Sequence, residues 1–148
     1  MHRFFLFFLI SILITSCINQ FQKLPDEKIN SERIEIAETF ALKFMQTLKS
    51  GTHYEFSDEE AIDELVKALT PDLQKDVYSK LVHQNGDFQK LEFTETWINP
   101  KKDDFEVYRF KGFFKKNENP LEIRVVLDRN NKIAGFWIKK WRNNLNLG

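Results

Sequence analysis

The chain has one cysteine, four prolines and five glycines in 148 residues, and no excess of either charge. Each scarcity excludes something. One cysteine forbids an internal disulfide and leaves no cysteine-based zinc site. The five glycines are scattered, so there is no glycine-rich loop to cradle a phosphate. No serine sits in a Gly-x-Ser-x-Gly turn or beside a base. With 22 basic and 22 acidic side chains, the whole molecule has no attraction for nucleic acid. Histidine is as scarce. His53 reads as a loop residue and His83 as the solvated side of a helix, with no metal or cofactor implied. The longest apolar stretch, Phe4 to Ile14, is eleven residues broken by Ser11. That is below the roughly 18–20 a membrane-spanning helix requires.

What remains is a composition suited to a folded domain, 42% hydrophobic and 30% charged, with phenylalanine abundant at 15 copies. Four of those, Phe4, Phe5, Phe7 and Phe8, lie in the apolar stretch behind a short positive start, Met1-His2-Arg3. This pattern fits the h-region of a secretory signal peptide. Ile14-Thr15-Ser16-Cys17 follows and resembles the lipobox of bacterial lipoproteins. The resemblance implies a thioether to diacylglycerol at Cys17, cleavage before it and acylation of the new amino terminus. A lone cysteine in an exported chain has no bridging partner, which agrees with that role. The expected organisation is a signal peptide over 1–16, a lipidated tether over 17–30 and a single domain over 31–148. No acidic residue directly follows Cys17, which favours the outer membrane, facing the periplasm.

Helical spacing comes first. Ile34, Ala37, Ala41, Phe44, Met45 and Leu48 form one apolar stripe from about Ser31 to Leu48, with Asn30 or Ser31 as cap. Ser57 and Glu60 make a capping box before Ile62, Leu65, Val66 and Leu69. Thr70-Pro71 restarts the helix and places Leu73, Val77, Leu81 and Tyr78 inward, ending near Gly86. The period then changes from 3.6 to 2. Strands are expected over about 87–98, 105–115, 121–128 and 133–141, with Leu91, Phe93 and Trp97 sharing one side of the first. Three helices followed by a four-stranded antiparallel sheet is an α+β domain, of the general plan also seen in cystatins.

Three groups of residues carry a further resemblance: Ala37, Ala41 and Gly51; then Gly86-Asp87-Phe88; then Lys132-Ile133-Ala134-Gly135. Over about 31–141 the chain is similar to an uncharacterised branch of the nuclear-transport-factor-two-like superfamily. That resemblance implies a cone-shaped fold, with helices on the concave side of a curved sheet and a pocket between them. It implies no single activity, because the superfamily contains enzymes, binders and dimerisation modules.

Chemistry-bearing residues are few. Glu95 interrupts the face shared by Phe93 and Trp97, and Arg109 interrupts the one shared by Val107 and Phe113. A Glu95–Arg109 pair would lock the carboxylate as an anion, suiting structure or orientation better than proton transfer. Glu95 with Tyr108 or Arg109 is the acid–base alternative, inside the cone. Strand aromatics exceed what one buried face needs, which marks Trp97, Tyr108, Phe113, Trp137 and Trp141 as candidates for a ligand or partner surface. Phe136 and Trp137 are adjacent and either could face inward. Charge is segregated: residues 17–100 hold 9 basic and 16 acidic groups, and residues 101–148 hold 12 and 6. The expectation is a non-catalytic module for a small ligand or an envelope protein. A structural domain that dimerises through the sheet is a further alternative.

Overall fold

A computed structural model describes residues 21–101 and 104–145. The expected signal peptide over 1–16 and Cys17 lie outside the described residues. Helix α1 (Ser31–Lys49) is followed by the short α2 (Asp63–Ala68) and by α3 (Pro71–Asn85). The sheet comprises β1 (Gln22–Lys23), β2 (Phe88–Ile98), β3 (Phe105–Phe114), β4 (Asn117–Asp128) and β5 (Ile133–Lys140). Its strands run in chain order, each antiparallel to the next. The α+β class stands, with five strands rather than four. The additional strand lies where a tether is expected. Gln22 and Lys23 pair with Ile98 and Trp97 through main-chain groups, which needs no hydrophobic alternation.

Asn30 caps α1, its Oδ1 accepting from the backbone N–H of Glu32 at 2.9 Å. Ala37 and Ala41 have no exposed surface and let α1 approach the sheet closely. Phe40, Phe44, Met45 and Leu48 then pack on Tyr108, Phe110, Ile123, Val125 and Leu127, on what we term the inner face. Phe136 belongs to this face, with its ring centroid 4.7 Å from that of Phe44 and 5.4 Å from that of Phe40. Gly112 sits opposite Leu121, and a Cβ there would lie 2.6 Å from Ile123 Cδ1. The inner face is thus filled by α1.

The second and third helices depart from the sequence reading. Ser57 and Glu60 form half of the capping box: the Glu60 carboxylate accepts from the Ser57 N–H at 2.9 Å. The helix starts only at Asp63, because Ala61 bridges to Ile133 of β5 and holds the chain extended. Val66 is 41% exposed. In α3, Thr70 and Pro71 act as expected, with Thr70 Oγ1 accepting from Leu73 N–H at 3.3 Å. The inward face is different. Leu73 and Val77 are 42% and 45% exposed, while Gln74 is 2% exposed.

Gln74 is buried because it satisfies a loop. Its Oε1 accepts from Tyr54 N–H at 2.7 Å, and its Nε2 donates to the carbonyls of Tyr54 (3.1 Å) and Leu69 (2.8 Å). Buried backbone groups must find partners, and here a side chain supplies three. Gln74→Leu should therefore destabilise the domain by about 2–4 kcal/mol, since several buried groups lose their bonds together. Leu73→Ser, one residue away, should change stability by less than about 0.5 kcal/mol. Urea denaturation of both variants checks the pair; equal effects would mean that α3 presents a different face.

Candidate functional site

The other, outer face of the sheet holds the polar chemistry. An irregularity in β2 between Phe93 and Glu95 shifts the alternation. Phe93 turns to the inner face opposite Phe110, while Glu95 and Trp97 face outward opposite Arg109 and Val107. Phe93 and Trp97 therefore do not share a side. Two transverse rows result. One runs Glu95, Arg109, Arg124, Trp137, and the next Glu92, Lys111, Glu122, Lys139.

Arg109 is the centre of these rows and is fully buried. Its Nε and Nη2 donate to the two oxygens of Glu122 at 3.0 and 2.9 Å, a fork-on-fork pair. Its Nη1 donates to Glu95, and its Nη2 also to the carbonyl of Arg142. Arg124 Nε donates to Glu122 at 2.7 Å, and Lys23 of β1 lies 3.4 Å from Glu95. The expected Glu95–Arg109 pair is thus present, within a larger network. Burial pushes the Glu122 carboxyl up, but hydrogen bonds from Arg109 and Arg124 outweigh it, so Glu122 titrates below the usual carboxylate range.

The chain after β5 produces this burial. Trp141 lies over Arg109, with 4.4 Å from ring centroid to Cζ, and Lys111 approaches the same ring at 5.2 Å. The tail then runs across the outer face until Leu145, 5% exposed, packs with Trp97, Val107 and Phe21. The tail's polar composition conceals this, since Leu145 is the apolar residue that fastens it. The indole N–H of Trp97 is buried there without a partner among the described residues.

Trp137 stands outside the network and is 50% exposed. Its ring covers Gly135, where a Cβ would lie 2.3 Å from Cη2 and Cζ3. Beside it are Arg124, directly opposite on β4, and Lys139, two residues on. Burial first, and then repulsion from Arg124, hold the Lys139 ammonium below its ordinary pKa; Arg142 and Arg109 add to this and Glu122 opposes it. Phe113 continues the outer face, with Lys90 Nζ 4.6 Å above its ring.

Comparison of the chain with protein-family models, curated proteins and solved structures finds no match.

Tyr108 is on the inner face, apart from Glu95. Its hydroxyl donates to Glu106, and Arg33 of α1 donates to Glu106 at 3.0 Å and to the Tyr108 oxygen at 3.1 Å. Arg33 continues to Asn131 at 2.6 Å and to the Asp128 carbonyl at 3.0 Å, clamping α1 to the β4–β5 turn. Burial and the Glu106 bond push the Tyr108 phenol far above its usual value, so it stays neutral. Arg33 and Glu106 lie outside the apolar patterns, and no local signal distinguishes them from surface charges. The Glu95–Tyr108 acid–base pair is not assembled, because the sheet separates the two.

A groove of about 420 Å³ opens between α1, the loop before α2 and β5, lined in part by Glu32, Glu35, Phe40 and Glu60. None of the sequence-derived candidates, Glu95, Trp97, Tyr108, Arg109, Phe113, Trp137 or Trp141, lines it.

Arg109→Ala should cost about 3–5 kcal/mol, because two buried carboxylates lose their main counter-charge. The acid behaviour has a definite sign. Glu122 binds its proton less readily folded than unfolded, so its contribution is complete above the unfolded value of about 4.3. That contribution is lost as pH falls through the lower folded value. Glu122→Gln should flatten that part of the stability–pH curve, which denaturation at a series of pH values from 7 down to 3 would read; an unchanged slope would remove Glu122 from the account.

Proposed function

We propose that the protein is a bacterial lipoprotein, held in the cell envelope through acylated Cys17, whose α+β domain is a non-catalytic binding module. The domain resembles the cone-shaped nuclear-transport-factor-two-like type. Support for the anchor is the coincidence of a short apolar stretch, small residues and the sole cysteine. The outer membrane, on its periplasmic side, is the proposed location.

The observation that carries the binding reading is the half-exposed Trp137 beside Arg124 and Lys139. An aromatic surface of this size costs free energy in water unless something covers it. The neighbouring Lys139 ammonium, disfavoured first by burial and then by Arg124, gains if an anion arrives. An acidic group bearing an apolar portion fits both requirements, and an envelope protein with an exposed carboxylate beside an aliphatic side chain offers it. A second copy of this chain would bring the same cations face to face, so charge opposes dimerisation through this patch. For catalysis, the buried outer-face carboxylates are held by guanidinium groups and Tyr108 is kept neutral, which supports no proton-transfer role.

Cys17→Ser should move the protein from the membrane fraction to the soluble fraction. Fractionation that is unchanged by this substitution would defeat the anchor. For the patch, a photo-crosslinking amino acid at position 137 should give discrete adducts in intact cells, and Lys139→Glu should abolish them. The same amino acid at Lys75, an exposed residue of α3, should give none. Equal labelling from both positions would sink the reading.

A further inference from the structure

The folded unit begins much closer to Cys17 than the sequence pattern indicates. Phe21 already packs against Trp97, Val107 and Leu145. Only Ile18, Asn19 and Gln20 lie between Cys17 and Phe21. Four Cα–Cα steps reach at most about 14 Å, even fully extended. An acylated Cys17 sits at the headgroup boundary, so the point where the chain joins the domain is confined to that distance from the bilayer surface.

The topology says which part of the domain that is. Gln22 pairs with Ile98, the last residue of β2, and Ile98 pairs with Glu106 near the start of β3. Phe105 in turn pairs with Asp128, the last residue of β4. Phe21 therefore enters at the end of the sheet that carries the β2–β3 and β4–β5 turns. The β3–β4 turn, with Lys115 and Lys116, is at the opposite end. Phe105 is 45% exposed although it begins a strand in an aromatic-rich sheet. It lies two strand spacings from the β1 edge, or roughly 10 Å.

Resting on the lipoprotein reading, we infer that this end of the domain, with Phe105 at its centre, docks on the bilayer surface to which Cys17 is anchored. The partner is lipid at the headgroup–acyl boundary, where an amphipathic surface seats an aromatic ring. One phenylalanine would not hold a free domain on a membrane. Here the anchor has already restricted the domain to the surface, so a weak contact is made at high effective concentration. Two cations at this end are already paired, Arg129 with Asp104 at 2.7 Å and Lys132 with Glu59 at 2.6 Å. Lys115 and Lys116 point away from the bilayer. Docking in this pose stands the strands on the membrane and turns Trp137 and Lys139 sideways, open to a partner in the periplasm.

The thiol of Cys17 is consumed by its thioether, so an introduced cysteine is the only reactive one. Nitroxide labels at Phe105→Cys and Lys116→Cys, on the full lipidated protein in phosphatidylethanolamine–phosphatidylglycerol vesicles, read depth by collision with oxygen against a water-soluble nickel chelate. The expected result is several-fold greater shielding from the nickel chelate at 105 than at 116. Hydrogen exchange on the unsubstituted protein gives a second reading. The 99–105 and 128–132 turns should be slower on vesicles than in the soluble Cys17→Ser form. A membrane-bound protein with both labels in water and unchanged exchange overturns the docking but leaves the anchor. A wild-type protein absent from membranes overturns both.

Discussion

Arg109 is a guanidinium with no exposed surface in the middle of a sheet face that would otherwise meet water. Taking a charge out of water costs several kcal/mol even after relaxation. The structure meets that cost with two carboxylates, a backbone carbonyl and an indole ring, drawn from three separate segments. Glu95 comes from β2, Glu122 from β4, and the Arg142 carbonyl and Trp141 ring from the tail. None of these segments can leave without exposing or unpairing the charge. The outer face is therefore closed by electrostatics, while the inner face is closed by aromatic packing under α1.

The two closures differ in what they specify. On the inner face, Phe40, Phe44 and Phe136 meet at centroid distances of 4.7–5.7 Å and several interplanar angles. Contacts of that kind tolerate small shifts, since apolar burial is non-directional. On the outer face, the tail is positioned by the Arg142 carbonyl against Arg109, by the Trp141 ring over the same guanidinium and by Leu145 in its apolar site. Its register is fixed by bonds that are lost on sliding by a residue. The polar face thus fixes the path of the chain end, and the apolar face supplies most of the driving force.

Local chemistry explains what could be read in advance. Asn30, the apolar stripe of α1, Thr70-Pro71, the switch of period after Gly86 and the Glu95–Arg109 pair all act through near neighbours or regular alternation. The misreadings arise where tertiary partners override those signals. Gln74 displaces Leu73 and Val77 from the buried side because the Tyr54 backbone needs its amide. The irregularity before Glu95 reverses the side of Trp97 relative to Phe93. β1 is invisible because edge pairing uses main-chain atoms. Arg33, Glu106 and Asn131 are separated by up to 98 positions in sequence, and nothing local marks them as partners. Phe136 and Trp137 illustrate the limit: both are large and apolar, and only the position of α1 decides that Phe136 turns inward.

The same overriding of local pattern bears on function. Helix α1 is laid along the inner face of the sheet, and the Tyr108 phenol there is kept neutral by burial and its bond to Glu106. On the outer face the network pairs Glu95 and Glu122 with Arg109, Arg124 and Lys23, and Lys139 stands beside Trp137. Net charge is zero for the whole chain, but the sheet and the tail concentrate positive groups on one surface because the acidic residues are largely on the helical half. A domain joined to its proposed anchor by three residues cannot turn that surface freely in every direction. The pairing of Gln22 and Lys23 with β2, a minor feature of the sheet, is what ties the orientation of the basic aromatic patch to the position of Cys17.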